Sequence, residues 1–162
     1  MEAPDIFSVL QAKFGEQIVD FLEEGTLNPT VVVKPEAVLK VCEFLSQNEK
    51  LQLDSLMNLA GHDQDGESDL SVIYHFYSTI HDHYITVKTF TPREEPSVVS
   101  IANLYRTADW HEREAYDMYG IHFEGHPDLK RILLEEDWEG YPLRKDYVPA
   151  EFYRGMRIEK VK

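Results

Sequence analysis

Beyond Gly120 the chain loses every regular period, and yet it does not become disorder-like. Residues 121–162 carry Gly125, Pro127, Gly140, Pro142, Pro149 and Gly155, spaced so that no helix or strand of ordinary length fits between them. Only Asp128 to Glu136 leaves room for a short turn or strand. The same stretch holds Ile132, Leu133, Leu134, Trp138, Tyr141, Leu143, Tyr147, Phe152 and Tyr153. Compact domains rarely carry structureless loops of even half this length. Apolar and aromatic residues without a fold of their own need another surface to cover, and Tyr, Trp and Arg are the types that anchor interfaces. The expectation is an extended arm, 121–162, laid along a partner protein. The alternative is an arm folded back on its own domain.

Residues 1–120 read as that domain. Phe7, Leu10, Phe14, Ile18 and Phe21/Leu22 recur at helical spacing, which predicts a helix over 5–24, started at Pro4 and Asp5 and ended at Gly25. Thr30 to Val33 is a β-branched run and predicts a strand. Pro35 opens a second helix with Val38, Val41/Cys42 and Leu45 on one face. Residues 51–60 predict a strand and Asp63 to Ser68 a turn. Leu70–Ser78 and Tyr84–Phe90 predict a hairpin linked by Ile80 to His83. Pro96 is a candidate start for a helix through Val98, Val99, Ala102 and Tyr105. The order predicts an α+β fold, with helices packed on one face of a small mixed sheet.

Composition excludes several functions. Hydrophobic residues make up 43% of the chain, enough for a core, and the formal net charge is −14. Such a charge repels nucleic-acid phosphates and anionic headgroups, so no nucleic-acid partner and no direct bilayer docking is expected. No apolar run reaches the ~20 residues of a membrane helix. The start, Met1 to Asp5, has no basic or apolar leader pattern, so the expected location is the cytoplasm or the cytoplasmic face of a membrane. The one cysteine, Cys42, cannot form an intramolecular disulfide or supply the thiolates of an iron–sulfur cluster, and its apolar neighbours predict a core position.

Candidate chemistry concentrates in Asp109-Trp110-His111-Glu112-Arg113-Glu114-Ala115-Tyr116-Asp117-Met118-Tyr119-Gly120. Asp109 with Glu112 reads as an acidic variant of the capping box. Arg113 and Asp117 are spaced for an i,i+4 ion pair, and Gly120 suits the helix end. Metal ligation by His111, Glu112, Glu114 and Asp117 lacks the paired spacing such sites use. His81-Asp82-His83 reads as a solvated hairpin link, and His122 and His126 as turn residues. No nucleophile elbow, phosphate loop or dinucleotide fingerprint occurs.

Residues 112–133 resemble the signature of one family, the C-type subunit of NADH-quinone oxidoreductase (respiratory complex I, NDH-1). Glu112-Arg113-Glu114, Asp117, Met118-Tyr119, His126, Lys130 and Ile132-Leu133 fall at the family's positions and spacing, and the continuation to Tyr147 also looks like the family. The resemblance implies a non-catalytic structural subunit of the peripheral arm, on the cytoplasmic face of the membrane, with no cofactor of its own. It implies the hydrogenase-like D-type subunit as neighbour, expected as a separate chain. It further implies a complex that passes electrons from NADH to quinone and pumps protons, with FMN and iron–sulfur clusters expected in partner subunits. Trp138, Tyr141, Arg144 and Tyr147 are the expected anchors of the arm. Arg113 with Glu112, Glu114 and Asp117 is expected to hold the elbow where the arm leaves the domain. Related readings are the same type of subunit in a membrane-bound hydrogenase or a ferredoxin-fed quinone reductase. A more remote one is a stand-alone metal-dependent hydrolase.

Overall fold

The computed structural model describes residues 1–23, 28–64 and 68–157. Helix α1 (Ala3–Phe14) starts where expected. Glu2 and Asp5 form a reciprocal capping box and Pro4 sits in the first turn. It ends ten residues early, at Gly15, whose φ of 54° takes the chain out of the helix. Residues Ile18–Leu22 are instead strand β1, antiparallel to β2 (Thr30–Val33). The helical spacing of Ile18 and Phe21 has a different origin. A bulge between Ile18 and Asp20 puts residues three apart on one face of the strand. Ile18 thus meets Val33 while Phe21 stacks on Phe7 at 4.7 Å. The expected stop at Gly25 lies outside the described residues, as does part of the Asp63–Ser68 turn.

A short 3₁₀ turn at Pro35 leads into α2 (Val38–Gln47), which buries Val38, Val41, Cys42 and Leu45. Strand β3 (Ser55–His62) begins later than expected. Leu51 and Leu53 are buried from the turn before it. The hairpin forms as read, β4 (Asp69–Ser78) against β5 (His83–Pro92) in continuous antiparallel register. The sheet order is β1-β2-β5-β4-β3, with the β2–β5 pair parallel and the rest antiparallel. Alternation sends Leu70, Val72, Tyr74 and Phe76 of β4, and Ile85 and Val87 of β5, toward α1 and α2, where they form one apolar core. The fold is α+β, with a mixed sheet and helices on one of its faces.

The expected helix from Pro96 is not there. Ser97–Val99 is strand β6, because Thr91 holds Ser97 extended: its hydroxyl donates to the Ser97 carbonyl at 3.1 Å and accepts the Ser97 amide at 2.8 Å. Helix α3 (Arg106–Tyr119) follows, then β7 (His122–Glu124), parallel to β6. Tyr105 precedes α3 and Asp109 lies in its first turn, so the expected Asp109–Glu112 capping box does not form. Beyond β7 the chain has one more regular pairing among the described residues, the small hairpin of β8 (Phe152–Tyr153) and β9 (Met156–Arg157).

Candidate functional site

Helix α3 lies along the edge strand β3. His111 accepts the Leu59 amide at 2.9 Å, and Tyr119 packs on Gly61, where a Cβ would come within 2.6 Å of its ring. Two acidic side chains then face inward from α3, and each does something different.

Asp117 is fully buried. Its Oδ2 accepts three successive backbone amides, Ile132 at 3.0 Å, Leu133 at 2.7 Å and Leu134 at 2.9 Å. Its Oδ1 takes the Arg131 guanidinium at 2.8 Å. Burial alone would raise its pKa, but the three amides and Arg131 outweigh that and hold the carboxyl below the usual range. The expected Asp117–Arg113 pair is therefore replaced. A surface i,i+4 contact is worth a few tenths of a kcal/mol, and the carboxylate has four better donors in the arm. Arg113 turns instead to the Lys130 and Arg131 carbonyls, both at 3.2 Å.

Glu112 is also fully buried. It accepts the Ser100 hydroxyl at 2.5 Å and the Ile101 amide at 2.8 Å, tying α3 to the turn after β6. Desolvation dominates here. It pushes the pKa up to about 7, against the lowering effect of those two bonds. His126 caps the same region. Its Nδ1 accepts the Asp128 amide at 3.0 Å, which leaves Nε2 to donate to the Asp109 carbonyl at 3.1 Å. That Nε2 is 3.9 Å from Glu112.

Further along, the arm continues to bind its own domain. The Leu143 amide donates to the Met118 carbonyl, and Arg144 donates to the Tyr119 carbonyl at 2.6 Å. Tyr141 lies beside Gly120, with Arg144 4.8 Å and Arg131 5.6 Å from its ring centre. Asp63, buried at the end of β3, takes Arg93 in a two-pronged pair and the Lys145 amide at 2.8 Å. The Arg93 guanidinium holds the Asp63 carboxyl below its ordinary range. Gly120 closes α3 at φ 72°, and a Cβ there would lie 2.5 Å from the Tyr141 ring. Gly120→Ala is expected to cost about 2 kcal/mol from left-handed strain and overpacking, seen as a melting point lowered by about 5 °C.

The remaining signature residues separate by role. Met118 is buried and Tyr119 half-buried in the domain, while Glu114 faces outward. Lys130 pairs with Asp128 on the surface at 2.7 Å. Ile132 is half-buried and Leu133 points out, 63% exposed. Trp138 sits 5.1 Å from Tyr153, and its buried indole nitrogen meets no acceptor among the described residues. Tyr147 lies over Gly140. Arg131, Asp63 and Arg93 were not singled out from sequence, although they tie the arm down. Their partners are 14, 30 and 82 residues away, too far for any local pattern to show. Among the described residues no group of three or more His, Cys, Asp or Glu is placed to hold a metal. His81 and His83 instead bond the Glu49 and Leu51 carbonyls. Cys42 is fully buried, and desolvation raises its thiol pKa far from thiolate formation.

Comparison with known proteins gives a consistent picture. The profile of the family described as respiratory-chain NADH dehydrogenase, 30 kDa subunit, matches residues 31–153. The C-type subunit of NADH-quinone oxidoreductase from Chloroherpeton thalassium is 45% identical over 94% of this chain, which spans 63% of that relative. Its counterpart from Chlorobium phaeobacteroides is 38% identical over 94% of this chain and 92% of its own length. Among solved structures, the trypsin-resistant fragment (1–134) of Nqo5 superposes with a TM-score of 0.64 at 27% identity, over 80% of this chain and all of that one. A chain of the membrane-bound sulfane sulfur reductase, an archaeal respiratory membrane complex, superposes with a TM-score of 0.74 over 91% of this chain and 86% of its own. At 18% identity that likeness is one of fold.

Proposed function

Because this chain belongs to the C-type subunit family of NADH-quinone oxidoreductases, the 30 kDa subunit family of the respiratory chain, we propose that it is a structural, non-catalytic subunit of the peripheral arm of such a complex. The body, 1–120 completed by Ile121 and strand β7, serves as the scaffold, and the arm beyond it, held at its root by the body, packs with its far end along the hydrogenase-like D-type subunit near the quinone site. In this reading the complex sits on the cytoplasmic face of the membrane, carries electrons from NADH to quinone and pumps protons. FMN and iron–sulfur clusters belong to its other subunits. The donor set here agrees, since the one cysteine is sealed in the core and a cluster takes several accessible thiolates.

The observation that carries the proposal is where the arm leaves apolar side chains uncovered. Its root, 126–147, is bonded to the domain. Past it, Val148, Phe152 and Met156 are 76%, 58% and 65% exposed. Large apolar groups in sequence order on an otherwise acidic chain mark a surface meant to be covered.

The test is affinity purification of the tagged chain from gently solubilised membranes. A hydrogenase-like large subunit, cluster-binding subunits and an FMN- and NADH-binding subunit are expected with it. Recovery of the chain alone would overturn the proposal. Trp138→Ala is expected to weaken that association about 30-fold, or about 2 kcal/mol, the loss typical of an aromatic anchor. Unchanged recovery would remove Trp138 from the anchoring role.

A further inference from the structure

The helices cover one face of the five-stranded sheet, and the other face has an unusual composition for this chain. Strand alternation points the cross-strand pairs Ile73–Lys88, His75–Thr86 and Tyr77–Tyr84 outward. Between the ends of β4 and β5 this face holds no acid and one base, Lys88, in a chain where 30 of 162 residues are acidic. The Lys88 ammonium is itself folded 4.5 Å over the Phe90 ring. Among the described residues, the acids of this face stand around the margin: Asp20 on the edge strand, Asp69 at the end of β4, and Asp82, which accepts the Tyr77 hydroxyl at 2.8 Å.

Two hollows of about 390 Å³ each open on this face. One is lined by Met57, His75, Tyr77 and Tyr84, the other by Val19, Leu22, Val32 and Phe90, with Asp20 and Lys34 at its rim. Met57, Tyr84 and Val19 stand 62%, 52% and 59% exposed around them. Depletion of charge with Tyr, Met and Phe present is the composition of the centre of a protein interface. A free sheet face usually turns charged and polar side chains to water.

We infer that the outer face of the sheet is a second protein-binding surface, and that it takes another protein chain with an uncharged, apolar centre framed by Lys and Arg. The acidic margin complements such a frame. It disfavours a second copy of this chain, since face-to-face pairing would set acid margin on acid margin between molecules of charge −14. The same margin repels the phosphates of nucleic acid and anionic lipid. This inference rests on membership of a multi-subunit assembly, but not on where the arm goes.

The test places the photo-crosslinking residue p-benzoylphenylalanine at Tyr84, at Met57 and, separately, at Phe152 of the arm. Each full chain is assembled in its host and irradiated in the membrane complex. Expected at Tyr84 and Met57 is an adduct with a different subunit, at least tenfold above that from the isolated chain. The attached peptide, identified by mass spectrometry, should hold apolar residues flanked by Lys or Arg. No adduct at either position overturns the inference, whatever Phe152 does. An adduct with a second copy of this chain, with lipid, or with an acidic surface overturns it too. Loss of the Phe152 adduct alone would sink the role of the arm and leave this surface standing.

Discussion

Asp117→Ala is expected to destabilise the isolated chain by about 3–5 kcal/mol, the usual result of removing one side of a buried charged pair. Three amides and the Arg131 guanidinium lose their acceptor at once. The other bonds of Arg131, to the Trp138 and Gly140 carbonyls at 3.2 and 3.4 Å, cannot neutralise it. In a chain of this size the loss lowers the melting point by about 10 °C. Circular dichroism would read it, and trypsin should cut faster after Lys130 and Arg131 as the root of the arm lifts. Asp117→Asn keeps the shape and one acceptor oxygen, so it should fall between. A melting point unmoved by either change would mean that the root is not held by this carboxylate. The contribution of Asp117 has a defined pH sign. Its folded pKa is depressed, so the stability is present above the unfolded carboxylate range and is lost as pH falls through the folded value.

Glu112, about one and a half turns earlier on the same helix, works in the opposite direction. Its folded pKa is raised to about 7 from an ordinary value of 4.5. Below the ordinary value both folded and unfolded chains carry the proton, and the fold has its full advantage. Above it the unfolded chain ionises while the buried group resists, so stability falls as pH rises through about 7. At about 1.4 kcal/mol per unit the loss is about 3 kcal/mol between pH 4.5 and 7.5. Glu112→Gln keeps an acceptor for the Ile101 amide and removes the titration. Urea unfolding at the two pH values should show wild type losing about 3 kcal/mol relative to the variant. Asp63 and Asp117 titrate in both proteins and cancel. Parallel behaviour of the two proteins would mean that Glu112 reaches water in the folded state.

What the sequence disclosed follows from the range of the interactions involved. The β4–β5 hairpin and the strand at 30–33 were legible because alternation and β-branching act over neighbouring residues. Helix α2 was legible for the same reason, through Pro35 and a clean apolar face. The second half of the first predicted helix failed because a bulged strand and a helix both place apolar groups three apart. The helix expected from Pro96 failed because one hydroxyl, that of Thr91, fixes Ser97 as extended. At the site, the residue types of the signature were visible but their partners were not. Glu112 looked like a capping residue and is a buried tie to Ser100 and Ile101. Asp117 looked like one side of a surface pair with Arg113 and is the centre of a nest of amides. The Asp63–Arg93–Lys145 junction left no trace, since nothing local links residues 82 positions apart.

That same separation sets an order of events in time. Closing the loop from Asp117 to residues 132–134 spans 15 to 17 residues, whereas Asp63 to Lys145 spans 82. The entropy of loop closure makes the longer one costlier by about 1.4 kcal/mol. As the chain folds, the nest around Asp117 is therefore expected to close before the Lys145 junction. Unzipping runs the other way, from the distal end inward. During assembly a neighbouring protein would be able to peel the far half of the arm while the near half keeps its register on the domain.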